Sequence, residues 1–311
     1  MFNIQNYLEN IDCPNCFNNS FKVIRVSNYK NINNEDSLKN IYKSSADDAL
    51  IDQLVECKNC DLQYLNPRIH SKIIMKSYED VIDEAHISQD KFRLMTFRKS
   101  LKKIIKYLKV QNFENKFFLD IGSASGVFLK VAKNFGFKEK GYEPSKWMVE
   151  IGKKNYDVNI NQGSIFDVNE NKKYDFISFW DVLEHVTDLD KTLKKLQKIS
   201  KDNSILIINV PDNKSLICKL MKENWPFYLN VHLYYFNEKT IKNLFDKYNF
   251  NLIKSYTHWQ YLGLGYLCKR ASKYIKIFSY FEKLFCFLKL SNIPIPYNMG
   301  QTTFIFKKES E

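Results

Sequence analysis

The chain has 311 residues, 44% of them hydrophobic and 15% aromatic, with 47 Lys and Arg against 35 Asp and Glu for a formal charge of +12. This composition excludes a disordered chain and supplies a full core, enough for one large domain with an appendage or for two modest domains. The lysines are scattered among Asn and Ile along the whole length rather than gathered in a basic arm, so they read as a solvated surface and not as a nucleic-acid tail.

No run of 18 apolar residues occurs, and the N-terminal "MFNIQNYLENIDCPNC" lacks a basic segment followed by an apolar one, so a soluble, cytoplasmic protein is expected. Seven cysteines without an export signal point to metal ligands or buried thiols rather than to a disulfide framework.

The first predicted module, residues 1–70, rests on two Cys-x-x-Cys knuckles, "CPNC" at Cys13 and Cys16 and "CKNC" at Cys57 and Cys60. Two such knuckles offer four thiolates to one tetrahedral ion, so a structural zinc is expected; the alternative is four unrelated cysteines. The 40 residues between Cys16 and Cys57 exceed the usual ribbon spacing, which makes Asn28 to Leu54 an insertion or a loop bearing a small helix. Residues 71–112 then form a helical connector, in which Phe92, Phe97, Leu101, Ile104 and Leu108 keep helical spacing.

From Phe117 strands and helices alternate. "FFLDI", "KEKGYEP", "YDFISFW" and "SILIINV" read as buried strands, and Gly126 to Phe135, Ser145 to Lys154 and Leu189 to Ile199 as helices between them. Such alternation predicts an α/β fold, a doubly wound sheet with helices on both faces and a ligand at the carboxyl ends of its strands. At the first of these ends Gly122 and Gly126 leave space for a close backbone approach, with Asp120 just before them. A dinucleotide site would place three glycines there for a pyrophosphate, whereas an acid suits a cation. Glu143, one βαβ unit downstream, can accept both hydroxyls of a ribose.

A cationic, phosphate-free nucleoside describes S-adenosylmethionine, and here the sequence resembles the class I methyltransferases. "LDIGSASGVFL" is similar to their first glycine motif, "GYEPS" to their ribose-binding acid, "NQGSIFD" to the turn beside the adenine, and "YDFISFWDVLEHVTDL" to their fourth strand and its continuation. The resemblance runs from about Asn115 to the C-terminus. It implies a mostly parallel, seven-stranded Rossmann-like sheet in residues 113–311. It also implies that Asp120, Gly122, Ser123 and Gly126 bind the amino-acid end of the cofactor, that Glu143 with Pro144 takes the ribose, that Ser164, Ile165 and Phe166 flank the adenine, and that Trp180 and Asp181 close the methionine side. Many members have glycine where this chain has Ala124.

For catalysis the candidates are His185, in "DVLEHV", and His232, in the aromatic stretch "NWPFYLNVHLYYF" of a segment, 211–236, expected to cover the site. Either could act as a general base toward a hydroxyl or carbon acid, or serve to organise a loop and pack a lid. "NEKTIKNLFDKY" reads as the following helix, "NFNLIKSYTHW" as a sixth strand and "GQTTFIFKK" as a final antiparallel one. Between these strands, 266–290 reads as one amphipathic helix with Ile277, Phe281, Leu284, Phe285 and Leu288 on a stripe, which can lie on a membrane, pack on the sheet or join a homodimer.

A ribbon joined to a methyltransferase domain resembles bacterial enzymes of sugar and surface-polysaccharide modification, which implies a small-molecule or glycan acceptor methylated on oxygen or carbon. The rivals are an RNA methyltransferase and a cofactor-binding scaffold. Nucleic acid is disfavoured by the ribbon's own acids, Glu35, Asp36, Asp47, Asp48 and Asp52, and intact Asp120 and Glu143 argue against a scaffold that has lost the cofactor.

Overall fold

In the computed structural model, which describes residues 3–30, 32–42, 49–79, 82–109 and 112–310, the cysteine module opens with a single 3-10 turn. It continues through β1 (Leu8–Glu9), β2 (Phe21–Arg25), α1 (Glu35–Ile41), β3 (Leu54–Cys57), β4 (Gln63–Leu65) and β5 (Arg68–Ile69). The insertion between the knuckles carries α1, as its spacing implied. Its Asp52 is fully buried and accepts hydrogen bonds from the hydroxyls of Tyr29 and Tyr42, so this acid ties the insertion together and adds no surface charge. Asp47 and Asp48 lie outside the described residues.

Three helices follow, α2 (Ser71–Glu79), α3 (Glu84–Ser88) and α4 (Asp90–Leu108), and then the alternating half of the chain. Its elements are β6 (Phe117–Ile121), α5 (Val127–Asn134), β7 (Lys138–Glu143), α6 (Lys146–Tyr156), β8 (Ile160–Gln162), β9 (Tyr174–Trp180), α7 (Leu189–Ile199), β10 (Ser200–Pro211), α8 (Leu216–Met221), β11 (Tyr234–Tyr235), α9 (Glu238–Asp246), β12 (Phe250–Thr257), β13 (Gln260–Gly263), α10 (Leu264–Ser272), α11 (Phe278–Phe287), β14 (Pro294–Tyr297) and β15 (Gln301–Lys308).

Seven strands form one sheet in the order β12-β15-β10-β9-β6-β7-β8, parallel from β10 to β8 and antiparallel where β15 inserts between β10 and β12. Because side chains alternate along a strand, consecutive residues feed opposite faces. Phe118, Phe176 and Ile207 pack beneath Leu101 and Ile104 of α4 and Phe128 of α5. Leu119, Ile177 and Leu206 join Leu193 and Leu196 of α7 and Leu244 of α9 on the other side. With both faces covered, the strands read as near-continuous apolar runs.

Tyr64 and Leu65 of the cysteine module belong to the same continuous core as α7 and α9. The joint is made by strands: β11 pairs antiparallel with β4, so a piece of the second half completes the four-stranded sheet β11-β4-β3-β2. Arg68, nearly buried, reinforces it, donating to Glu9 at 2.9 Å, to the Tyr234 hydroxyl at 3.0 Å and to the Thr187 carbonyl at 2.9 Å.

Two expectations are corrected. The segment 266–290 is two helices, not one; α10 ends at Ser272, and α11 starts after the turn Lys273–Ile277, where β-branched Ile275 and Ile277 weaken helical propensity and the chain reverses so that α11 lies on α10. The segment 211–236 does not cover the site, since none of its residues lines the cavities at the carboxyl ends of the strands. Its Tyr234 and Tyr235 pair with β4, and its Tyr228 carbonyl accepts the Leu50 amide, which ties the segment to the cysteine module.

Candidate active site

β6 ends at Ile121 and the chain turns through Gly122–Gly126 into α5. Gly122 and Gly126 sit at φ 68° and 75°, and a Cβ on Gly122 would come within 2.4 Å of Val182 Cγ2, so the turn needs both backbone freedom and empty space there. Ala124 also lies in the left-handed region, at φ 45°. An L-residue there carries about 1 kcal/mol of strain, which explains why glycine suits this position.

The reason the chain tolerates that geometry lies at the end of β7. Glu143 accepts the Ala124 amide on Oε2 at 2.9 Å and the Ser145 amide on Oε1 at 2.9 Å, leaving each oxygen a further lone pair toward the crevice. Burial pushes this carboxyl up, against the two amides that favour its ionised form. Ser145 caps α6 in turn, accepting the Met148 amide at 3.2 Å.

Two adjoining cavities, of about 250 and about 440 Å³, run along the carboxyl ends of β6 to β9 and share Tyr78, Gly122, Pro144, Val182 and His185. Ala124, Glu143, Trp180 and Asp181 line the first. Ser164, Ile165 and Phe166 line the second, where Ser164 and Asp167 form a reciprocal cap that holds the turn and Phe166 stands 46% exposed at the rim. Asp120, Ser123 and Gly126 stand behind the wall. The Asp120 carboxylate accepts the Ser178 hydroxyl at 2.5 Å and is pushed up to about 7, by burial first and by Glu143 nearby. Ser123 donates to the Asp120 carbonyl at 2.8 Å, and Gly126 caps α5.

At the far end Asp181, at φ 56°, accepts Asn209 Nδ2 at 2.7 Å and Gln301 Nε2 at 2.6 Å on one oxygen. Burial still pushes its carboxyl up to about 6. His185 forms part of both cavity walls. Its Nδ1 meets the Val231 carbonyl at 2.9 Å, which places a proton on Nδ1 and leaves Nε2 as acceptor. Burial lowers this imidazole to about 4, so it is neutral at pH 7.

His232 lies behind His185, ring centroids 4.8 Å apart, with its Nδ1 on the Phe227 carbonyl at 2.8 Å. Ligand-type atoms of Glu184, His185 and His232 fall within 4.8 Å of one another, and neither Glu184 oxygen has a hydrogen-bond partner although both are buried. Burial and the neighbouring Asp181 raise the Glu184 carboxyl well above the usual range.

The opposite wall comes from the connector, which carries site residues the sequence alone did not reveal. Tyr78 of α2, His86 of α3, Arg93 and Phe97 of α4, with His258 just before β13 and Gln260 at its start, complete the first cavity. Arg93 brings the wall's one guanidinium, and its Nε is buried without a partner. The sole signal in the sequence was polar residues interrupting the apolar stripe of α4, which any solvated helix shows.

Away from the crevice the four knuckle thiols converge. Cys13 Sγ lies 3.5 Å from Cys60 Sγ and Cys16 Sγ 3.4 Å from Cys57 Sγ, with all four sulfurs within 4.8 Å. That is far beyond a disulfide and close to the ~3.8 Å edge of a tetrahedron with ~2.3 Å metal–sulfur bonds.

Residues 88–255, more than half of the chain, match a family model described as a methyltransferase domain. Over 115 residues the chain is 30% identical to ribosomal protein L11 methyltransferase of Fusobacterium nucleatum, covering 34% of this chain and 36% of that one. Over 126 residues it is 29% identical to ubiquinone biosynthesis O-methyltransferase of Pelagibacter ubique, covering 38% and 52%. The chain thus spans about a third to a half of the length of these curated relatives. A solved S-adenosylmethionine-dependent methyltransferase from Archaeoglobus fulgidus aligns over 73% of this chain and 100% of its own, with a TM-score of 0.49 and 19% identity. With its sheet order, its glycine turn and its paired strand-end acid already in place, the chain belongs to the methyltransferase domain family.

Proposed function

We propose that the protein moves a methyl group from S-adenosylmethionine to an oxygen or carbon of a small, hydroxyl-rich acceptor of sugar or glycan type. The observation that carries the reading is the Glu143 cradle. Its carboxylate is oriented by the Ala124 and Ser145 amides beside a turn whose Gly122 lines both cavities, which suits a ribose diol and repels a phosphate. Ser164, Ile165 and Phe166 would hold the adenine. Arg93 and Asp181, a cation and an anion lining the first cavity, would match the carboxylate and ammonium of the cofactor's amino-acid end. When bound, the cofactor supplies a methyl carbon made electrophilic by its sulfonium.

The chain's own task is then alignment and proton removal. His185 is the base, because it is neutral, keeps Nε2 as acceptor and forms the cavity wall. His232 and the Glu184 carboxyl stand behind it, and the Val231 carbonyl that accepts from Nδ1 holds the ring in that tautomer. Tyr78, His86, His258 and Gln260 provide hydrogen bonds, and Phe97 and Trp180 apolar faces, a combination that fits a compact polyol ring. One curated relative is named for a ribosomal protein and the other for ubiquinone biosynthesis, so they do not choose between acceptors. A structural zinc on Cys13, Cys16, Cys57 and Cys60 is part of the same proposal.

Methyl transfer from labelled S-adenosylmethionine to nucleotide sugars, lipid-linked sugars, RNA and ribosomal protein, compared in one assay, tests the acceptor. Transfer to RNA or ribosomal protein but to no sugar would sink the sugar reading, and absence of cofactor binding by calorimetry would sink the whole.

A further inference from the structure

The hairpin α10–α11 leaves the body of the protein between β13 and β14, which pair antiparallel at its base. That base is fixed. A Cβ on Gly263 would meet the Ser291 carbonyl oxygen at 2.8 Å and Phe92 at 2.9 Å, and Tyr261 and Gly263 donate their amides to Thr96 and Gln89, which flank the crevice wall. Beyond the base the packing stops. α11 lies on α10 and has no buried residue.

What it presents instead is apolar. Of 22 large hydrophobic side chains exposed among the described residues, ten fall between Tyr274 and Ile293, a concentration that scattered surface hydrophobics do not produce. Tyr280 is 73% and Phe287 84% exposed, with Phe281 and Leu284 between them and Leu288 just after, and Trp259 stands 57% exposed next to the crevice residue His258. The charges around this face have one sign. Between 264 and 293 there are six cations, Lys269, Arg270, Lys273, Lys276, Lys283 and Lys289, against the single acid Glu282.

We infer that this hairpin is a docking surface for an anionic lipid membrane, on which α11 lies in the interfacial plane. Among the described residues no helix is long and apolar enough to cross a bilayer, so the insertion is shallow. Charge decides against the other obvious occupant, a second copy. A two-fold interface would set the same cationic rim against itself, whereas anionic headgroups complement it. Docking would hold the mouth of the crevice beside the membrane, since the hairpin base and the wall residues Arg93, Thr96 and Gln260 belong to the same two elements, α4 and β13. The inference does not depend on the acceptor.

Flotation of the full chain with phosphatidylcholine vesicles, with and without phosphatidylglycerol, tests it. Recovery with the anionic vesicles should exceed recovery with neutral ones roughly tenfold and fall as salt rises. The double variants Leu284→Ser/Phe287→Ser and Lys283→Glu/Lys289→Glu should each lose roughly that factor while S-adenosylmethionine binding, read by calorimetry, is unchanged. Equal recovery of wild type and variants overturns the inference, as does absence of vesicle binding. A dimer that the apolar variants split, without vesicle binding, overturns it in favour of self-association.

Discussion

Ala124 donates its backbone amide to Glu143 Oε2 at 2.9 Å while held at a left-handed φ of 45°. The pair joins the glycine turn after β6 to the acid that ends β7, and one contact thereby shapes the wall and orients its carboxylate. Replacing Glu143 by Ala should lower S-adenosylmethionine affinity by about tenfold or more, roughly 1.4 kcal/mol, with the Ala124 amide left unpaired. Calorimetry on a variant whose circular dichroism matches wild type checks this, and unchanged affinity would remove Glu143 from the site.

The same turn predicts opposite outcomes at neighbouring positions. Gly122→Ala puts a Cβ 2.4 Å from Val182 Cγ2 at φ 68°, and should cost about 1–3 kcal/mol of stability together with cofactor binding. Ala124→Gly relieves a strained residue at the expense of chain entropy, so its stability should stay within about 1 kcal/mol of wild type and its binding should be retained. Thermal melts with and without S-adenosylmethionine distinguish the two.

Asp181 gives the pH dependence. Its carboxyl is raised to about 6 by burial, so below that pH it holds a proton that a cationic ligand must displace, and above it the carboxylate is already ionised. Affinity should therefore climb by up to tenfold per unit as pH rises toward about 6 and level off beyond, while Asp181→Asn should bind more weakly at neutral pH and show a flatter profile. A wild-type affinity constant from about pH 5 to about pH 7 would contradict this assignment.

Arg93 and His185 separate binding from chemistry. Arg93→Ala should raise KM for S-adenosylmethionine by about tenfold with a smaller change in kcat, whereas His185→Ala should lower kcat by about a hundredfold or more and leave cofactor affinity near wild type. An unchanged kcat in His185→Ala assigns His185 to packing.

Metal analysis of the reduced protein should find about one zinc per chain, lost in Cys57→Ser with a fall in melting temperature. A second equivalent that disappears in His232→Ala would instead place an ion on Glu184, His185 and His232 and replace the imidazole base by a metal-bound one.

The strands of the central sheet were legible because buried parallel strands are unbroken apolar runs punctuated by turns, and "YDFISFW" coincides with β9. Gly122, Glu143 and Ser164 were legible for a related reason, since the chemistry stands at strand ends whose position in sequence is fixed by the alternation. Arg93 and Tyr78 were not, because they come from helices whose contact with the crevice is decided by how α2–α4 dock, and nothing local distinguishes them from solvated helix residues. The place of His232 was not legible for the mirror reason: an aromatic run resembles a lid, yet here Tyr234 and Tyr235 pair with β4 and His232 stands behind His185.

That pairing makes the cysteine module a mechanical part of the crevice wall. Leu65 donates its amide to the Leu233 carbonyl at 3.0 Å, and Leu233 donates its own to the Glu184 carbonyl at 2.7 Å, so a two-bond relay runs from β4 to the loop bearing His185. Slackening the knuckles should consequently throttle turnover while sparing cofactor uptake, and in Cys57→Ser, kcat falling ahead of S-adenosylmethionine affinity would be the signature of a tether loosened at its distant end.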